Sequence, residues 1–388
     1  MNRFRDLLLS LLVAMVALSS CRKEEEIIPS SRVRVGAPGR PGKIKGFFLL
    51  NEANMGSNKA TLDYYDYTTA FYTRNIYAER NPNVVKELGD VGNDLQIHGS
   101  RLYAVINVSG LIEVMDVRTA KHIGKLSIPN CRYIAFKDGF AYVSSYAGPV
   151  KIDPNARLGY VAKVDTATLK VVAECPVGYQ PEELLIHGDK LYVANSGGYR
   201  APNYDKTISI IDLKTFTEEK QVDVAINLHR LQLDNYGKIW ASSRGDYKGV
   251  PSRLFVFDPK TKRVTKTLEV GCSNMALSGD SLFVYSSEWS YLTGKNTISY
   301  TVIDTKKQEV IDRNFIKDGT DKEIQLPYGL AINSEQGELY LTDAQDYVHP
   351  GQLHCYDLKT GRRKWSVKTG DIPAHIAFTT QPLHPLHH

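Results

Sequence analysis

Two sets of residues in this chain could do chemistry, and they occupy different kinds of segment. Asn93, Asp94, Arg132, Tyr179, His229, Arg230, Asn274, Tyr328 and His375 stand where short apolar runs begin. Tyr146, Tyr199, Arg200, Tyr204, Tyr247, Trp289, Tyr291 and Tyr347 fall in longer Gly-, Asn- and Ser-containing segments, together with Asn51, Asn54, Asn195 and Asn203. Tyr and Trp offer large rigid contact area with a polar tip, as in paratopes and ligand-binding rims. Amides, arginines and carboxylates add directional hydrogen bonds. Such a mixture suits non-covalent recognition of a large, amide-decorated ligand or of another protein.

Bond-breaking chemistry has less support. The chain contains no G-x-S-x-G elbow, no H-E-x-x-H and no phosphate-cradling glycine loop. His98 and His187 sit in tight turns on the opposite side from His229 and His375, so the four cannot form one ligand set. A metal held by His229 and His375 alone would need a carboxylate partner. A lyase or hydrolase would require a cluster of titratable groups with shifted pKa values near one point. The expectation is therefore a binding protein, not an enzyme, with no catalytic cofactor. A net charge of +5 with interspersed signs gives no basic stripe, which argues against nucleic acid. Cys131, Cys175, Cys272 and Cys355 lack C-x-x-C spacing and are expected as isolated buried thiols, although a disulfide stays open.

The elements that position these residues repeat. Asp66, Asp116, Asp165, Asp212, Asp258, Asp304 and Asp357 recur at spacings of 50, 49, 47, 46, 46 and 53, five of them as D-x-x-T. Their regularity marks them as turn formers rather than catalytic carboxylates. Ahead of each lies a strand-like run such as LYAVIN, AYVSS, LYVAN, IWASS, LFVYS or LYLTD, with GFFLLN in the first unit. Ahead of six of these lies another: DLQI, RYIAF, ELLI, RLQL, NMAL and YGLAI. The first unit lacks that strand, and PAHIAF at residues 373–378 supplies it from the far end of the chain. A period near fifty with a displaced closing strand predicts an all-β, seven-bladed β-propeller of four-stranded antiparallel blades. Strand parity then puts the short turns on one face of the disc. The long segments 51–60, 145–159, 195–207, 243–252, 287–297 and 343–352 fall on the other, with the links between blades. The predicted ligand face is the latter.

The ends read differently. Residues 1–20 have a basic start and an apolar core over 7–18, a signal peptide. Leu18-Ser19-Ser20-Cys21 resembles a bacterial lipobox with Cys21 as the lipidated residue. An ordinary cleaved signal is the alternative. The acidic run Glu24–Glu26 resembles a surface-export signal of Bacteroidetes lipoproteins. Residues 21–45 are expected as a flexible tether, 46–378 as the propeller and 379–388 as a tail. Lipid anchoring at the outer membrane, facing the cell surface, is the expected location.

The repeat as a whole resembles the YncE-like or surface-layer propellers. NEANMGSNKATLDYYDY over 51–67 and ELGDVGNDLQIHGSRLYAVIN over 87–107 are similar to the BtuG-type family. That resemblance implies a surface lipoprotein that captures cobalamin or a related corrinoid and passes it to a TonB-dependent outer-membrane transporter. One departure is Ala53, where the resemblance implies glycine in an N-E-G-N pattern; a positive φ there would strain the alanine. The alternative is a propeller that binds a protein or a glycan with the same aromatic rim.

Overall fold

The computed structural model describes residues 29–84, 88–290 and 294–385. The predicted leader, Cys21 and the acidic run lie outside those residues, as do Tyr291, His387 and His388. The described chain is a seven-bladed β-propeller of antiparallel sheets. Inner strands of blades 2 to 7 are Gly92–His98, Cys131–Lys137, Pro181–His187, Leu228–Leu233, Asn274–Ser278 and Pro327–Asn333. Blade 1 takes its inner strand, Pro373–Thr379, from the C-terminal end, and this pairs with Gly46–Asn51 through Phe47↔Phe378 and Leu49↔Ile376. The ring thus closes as the displaced strand required.

Second strands are buried on both faces, because each blade is sandwiched between two others. Gly46–Asn51 and Glu338–Asp343 are buried at every position. That is why these runs are almost continuously apolar rather than alternating. Fourth strands lie at the rim and are mostly polar, as in Thr217–Asp223. Trp240, the largest fully buried side chain, has its one donor satisfied: indole Nε1 donates to Asp234 Oδ2 at 2.9 Å.

The seven recurrent aspartates each close a third strand and cap the following turn. Asp116 Oδ1 accepts the N–H groups of Arg118 and Thr119 at 2.9 and 3.0 Å, and the Thr119 hydroxyl at 3.1 Å. Asp165, Asp212 and Asp357 repeat this set with Thr168, Thr215 and Thr360. The threonine of D-x-x-T therefore acts through its hydroxyl in the turn itself, rather than through a β-branched preference for the next strand.

Part of the segment expected as a flexible tether instead packs onto the propeller. Ser31–Arg34 adds a fifth strand to the outer edge of blade 1, antiparallel to Phe71–Arg74. Beyond it the chain crosses to blade 7. Arg40 and Gln336 exchange three hydrogen bonds at 2.7–2.9 Å, and the Glu335 carboxylate accepts the N–H groups of Lys43 and Ile44. On the other side of the seam, Arg80 donates to His384 O and Arg118 to Gln381 Oε1. Both chain ends therefore latch the blade that closes the ring.

Candidate ligand-binding face

A one-residue register shift near the start of the inner strand recurs in six blades. The extra residue is a β-bulge, which turns side chains out of the ladder and toward the axis. The bulged N–H needs an acceptor, and in three blades a hydroxyl from the second strand supplies it: Tyr133 N to Ser144 Oγ, Arg230 N to Ser242 Oγ, Gly329 N to Thr342 Oγ1. Ser144 and Thr342 also donate to inner-strand carbonyls of the next blade, at Glu182 and Pro373. The residues presented are Asn93-Asp94, Arg132-Tyr133, Glu182-Glu183, His229-Arg230, Tyr328 and His375.

Blades 3 to 5 build one wall of the axial well. Arg132 and Arg244 both reach the fully buried Glu182, at 3.1 Å to Oε2 and 3.0 Å to Oε1, and Tyr146 donates to Oε1 at 2.5 Å. Burial alone would raise the Glu182 pKa, but the two guanidinia and the tyrosine outweigh it and hold the carboxyl at about 2. Beside it, Tyr133 Oη meets His229 Nε2 at 2.9 Å, and Arg230 Nη1 approaches Glu183 Oε1 at 3.7 Å. Burial pushes Glu183 up to about 7 against the pull of Arg230 and the Leu231 N–H. Burial also holds His229 well below its usual pKa, reinforced by Arg244, Arg230 and Arg132.

Blades 7 and 1 build the opposite wall. Glu52 accepts from Tyr328 Oη at 2.7 Å and pairs with His375 Nε2 at 3.0 Å. Tyr347 packs edge-on to Tyr328, ring centroids 6.0 Å apart, and its carbonyl accepts from Asn54 Nδ2.

The same loop-bearing face carries exposed aromatic side chains on three consecutive blades. Tyr247, Trp289 and Tyr347 are 40%, 46% and 42% exposed. Tyr247 and Tyr347 occupy matching Asp-Tyr loops in blades 5 and 7, with φ of 61° and 65°. Each preceding aspartate fixes the turn: Asp246 Oδ1 accepts three N–H groups from Lys248 to Val250, and Asp346 Oδ1 accepts those of Val348 and His349. Left-handed backbone is costly for tyrosine, so these capped turns fix where each side chain leaves the main chain. Ala53 has φ 61°, the strain anticipated from its departure from glycine.

A side recess of about 260 Å³ opens between the blade 3 and blade 4 loops, lined by Tyr146, Lys151, Asp153, Arg157, Gln180 and Tyr199 among others. Tyr199 stands edge-on to Tyr146 at 5.5 Å, and Arg200 stacks 3.6 Å over Tyr179. Tyr204 lies half-buried in the same blade 4 loop.

Four of the expected site residues are bound elsewhere. Asn51 is fully buried against Thr61 Oγ1, so it braces its own blade instead of facing a ligand. Asn93 donates to Arg132 O, and Asn274 to Tyr328 O. Asp94 Oδ2 accepts Ile134 N at 3.0 Å. These last three staple neighbouring blades. Sequence reasoning missed Glu52, Tyr133, Glu182, Glu183 and Arg244. Their signal was position: Tyr133, Glu182 and Glu183 occupy the two residues before the first apolar residue of an inner strand. Glu52 and Arg244 directly follow a second strand. Among the described residues the four cysteines are buried and free, and no group of three or more His, Cys, Asp or Glu is placed to hold a metal.

The model of a family described as "Domain of unknown function (DUF5074)" matches residues 45–379. No curated protein matches the chain. Among solved structures, a chain of Kuenenia stuttgartiensis hydrazine synthase is 18% identical with a TM-score of 0.54, over 69% of this chain and 77% of that one. Apo AztD from Citrobacter koseri is 11% identical with a TM-score of 0.52, over 86% and 97%. A second Citrobacter koseri AztD structure gives 10% and 0.51, over 86% and 98%. At these identities the likeness is one of fold.

Proposed function

Since the chain belongs to the DUF5074 family, whose description assigns no activity, we propose a function from the loop-bearing face: capture of a large, amphiphilic ligand by binding, without catalysis. The observation that carries it is three exposed aromatic side chains, Tyr247, Trp289 and Tyr347, on the loop-bearing face of a polar well in which Glu182 and Glu52 are already paired. Loop backbones fixed before the ligand arrives avoid part of the ordering cost of binding. Glu182 is bound to Arg132, Arg244 and Tyr146, and Glu52 to Tyr328 and His375, which favours a rigid binding surface over proton transfer.

A corrinoid of the cobalamin type is the ligand we propose, on the strength of the resemblance over 51–67 and 87–107 and of this fit. Its macrocycle would lie against these aromatic side chains, and its peripheral amides would meet Asn54, Arg200 and the well. In this reading Cys21 carries the lipid, and the partner that receives the ligand is a TonB-dependent outer-membrane transporter. Isothermal titration with cyanocobalamin and cobinamide tests the ligand: saturable binding is expected, and no heat at micromolar protein with either corrinoid refutes it.

A further inference from the structure

The wall formed by blades 3 to 5 holds more cation than its carboxylates neutralise. Arg132, Arg230 and Arg244 keep only 13%, 14% and 24% of their side-chain exposure. Two of the three share the single carboxylate of Glu182. Asp94 has both oxygens occupied, by the N–H groups of Leu95 and Ile134. Arg230 is the least satisfied. Its contact with Glu183, at 3.7 Å, is longer than a hydrogen bond, and its Nε is buried with no acceptor among the described residues. His229 Nδ1, on the residue before it, is likewise buried without a partner. A buried donor left unmade destabilises the fold, and a desolvated guanidinium without a full counter-charge does so more strongly. Arginine's planar fork suits a bidentate oxyanion.

We propose that this wall is a subsite for a singly charged oxyanion, a phosphodiester or a carboxylate carried by the ligand, with Arg230 as the principal contact and Arg244 as the second. The anion enters from the loop face and places its oxygens against the Arg230 guanidinium. Glu183 faces the same space. Its Oε2 is held by the Leu231 N–H at 2.7 Å, and burial raises its pKa to about 7, so it can take up a proton as the anion arrives instead of repelling it.

The inference deepens the capture reading but is tested independently of it. Purified protein is titrated with dimethyl phosphate, acetate and neutral trimethyl phosphate at matched ionic strength, following binding by calorimetry and by the shift in Tm. The two anions separate phosphodiester from carboxylate. Expected is millimolar binding of one or both anions, none of trimethyl phosphate, and at least tenfold weaker binding in Arg230→Met. Arg244→Met, which leaves Glu182 paired with Arg132, serves if Arg230→Met does not fold. Equal response to the anions and the neutral ester, or anion binding unchanged in the folded variants, overturns the subsite. If an anion binds through Arg230 while neither corrinoid binds, the subsite stands and the corrinoid reading falls. If corrinoids bind but cyanocobalamin, which bears a phosphodiester, gains nothing over cobinamide, which lacks it, and Arg230→Met changes neither, the reverse holds.

Discussion

Tyr133 and His229 belong to blades 3 and 5, yet Tyr133 Oη and His229 Nε2 lie 2.9 Å apart, so the contact spans the intervening blade at the axis. Glu183 of blade 4 sits beside Arg230 in the same wall. Neutral imidazole is what this setting accepts. Burial lowers the His229 pKa first, and Arg244, Arg230, Arg132 and His375 lower it further. A histidine depressed in the folded state takes up its proton only in the unfolded one, so stability falls as pH drops through about 6.5, its ordinary pKa. His229→Gln should flatten the fall in Tm between pH 7 and pH 5. An unchanged slope would show that His229 titrates freely.

Glu183 acts in the opposite direction. Its folded pKa of about 7 is above the ordinary carboxylate value, because burial outweighs Arg230 and the Leu231 N–H while Asp94 and Glu182 add to the rise. The folded state therefore holds a proton that the unfolded state has lost, and stability declines as pH rises from about 4.5 to 7. Glu183→Gln is expected to be more stable than wild type at pH 8 and nearly equal to it at pH 4.5. Thermal unfolding at those two pH values checks it.

Removing Glu182 should be the most damaging single change in the well. Glu182→Ala strands two mostly buried guanidinia, an effect of about 3–5 kcal/mol. Glu182→Gln, which keeps the volume and loses the charge, should recover only part of it. Urea unfolding measures both.

The rim should behave differently. Tyr247→Ala, Trp289→Ala and Tyr347→Ala change exposed side chains and should leave Tm within a degree or two, while each weakens ligand binding by about 1–2 kcal/mol, roughly 5- to 30-fold. Loss of binding without loss of Tm is the signature; equal affinity in all three would remove these side chains from the site.

The turn aspartates give a test with no ligand. Asp116→Ala deletes three acceptor contacts and should cost about 1 kcal/mol, as should Asp116→Asn in part, since its remaining oxygen still accepts. Calorimetric unfolding reads the difference.

The repeat was legible because one aspartate per blade and one apolar run per second strand are local requirements met in every unit. Ring closure was legible for the same reason, since one inner strand was missing at one end and one was spare at the other. The well was only half legible. His229, Arg230, Arg132, Tyr328 and His375 stand out by type, but Glu182 and Glu183 read as ordinary strand residues until the bulge turns them to the axis. Asn51, Asn93, Asp94 and Asn274 looked like ligand groups because the same amides and carboxylates that suit a ligand also suit a neighbouring backbone. No local pattern separates the two uses. The strand Ser31–Arg34 escaped notice because four exposed residues at a sheet edge carry no apolar alternation.

Blade 1 joins residues more than three hundred positions apart, Phe47 with Phe378. During synthesis every other blade can form as it emerges, whereas this one must wait for Pro373–Thr379, which follows them all. Until then Gly46–Asn51, apolar from Phe47 to Leu50, has an open edge, the kind of edge on which unrelated chains pair. The outer strand Ser31–Arg34 and the crossing at Arg40 are made early but cover other parts of blade 1 and blade 7. A chain cut before or within Pro373–Thr379 would therefore fail as an aggregate rather than as a weakened ring, and biogenesis of this protein hangs on a strand made after all the other blades.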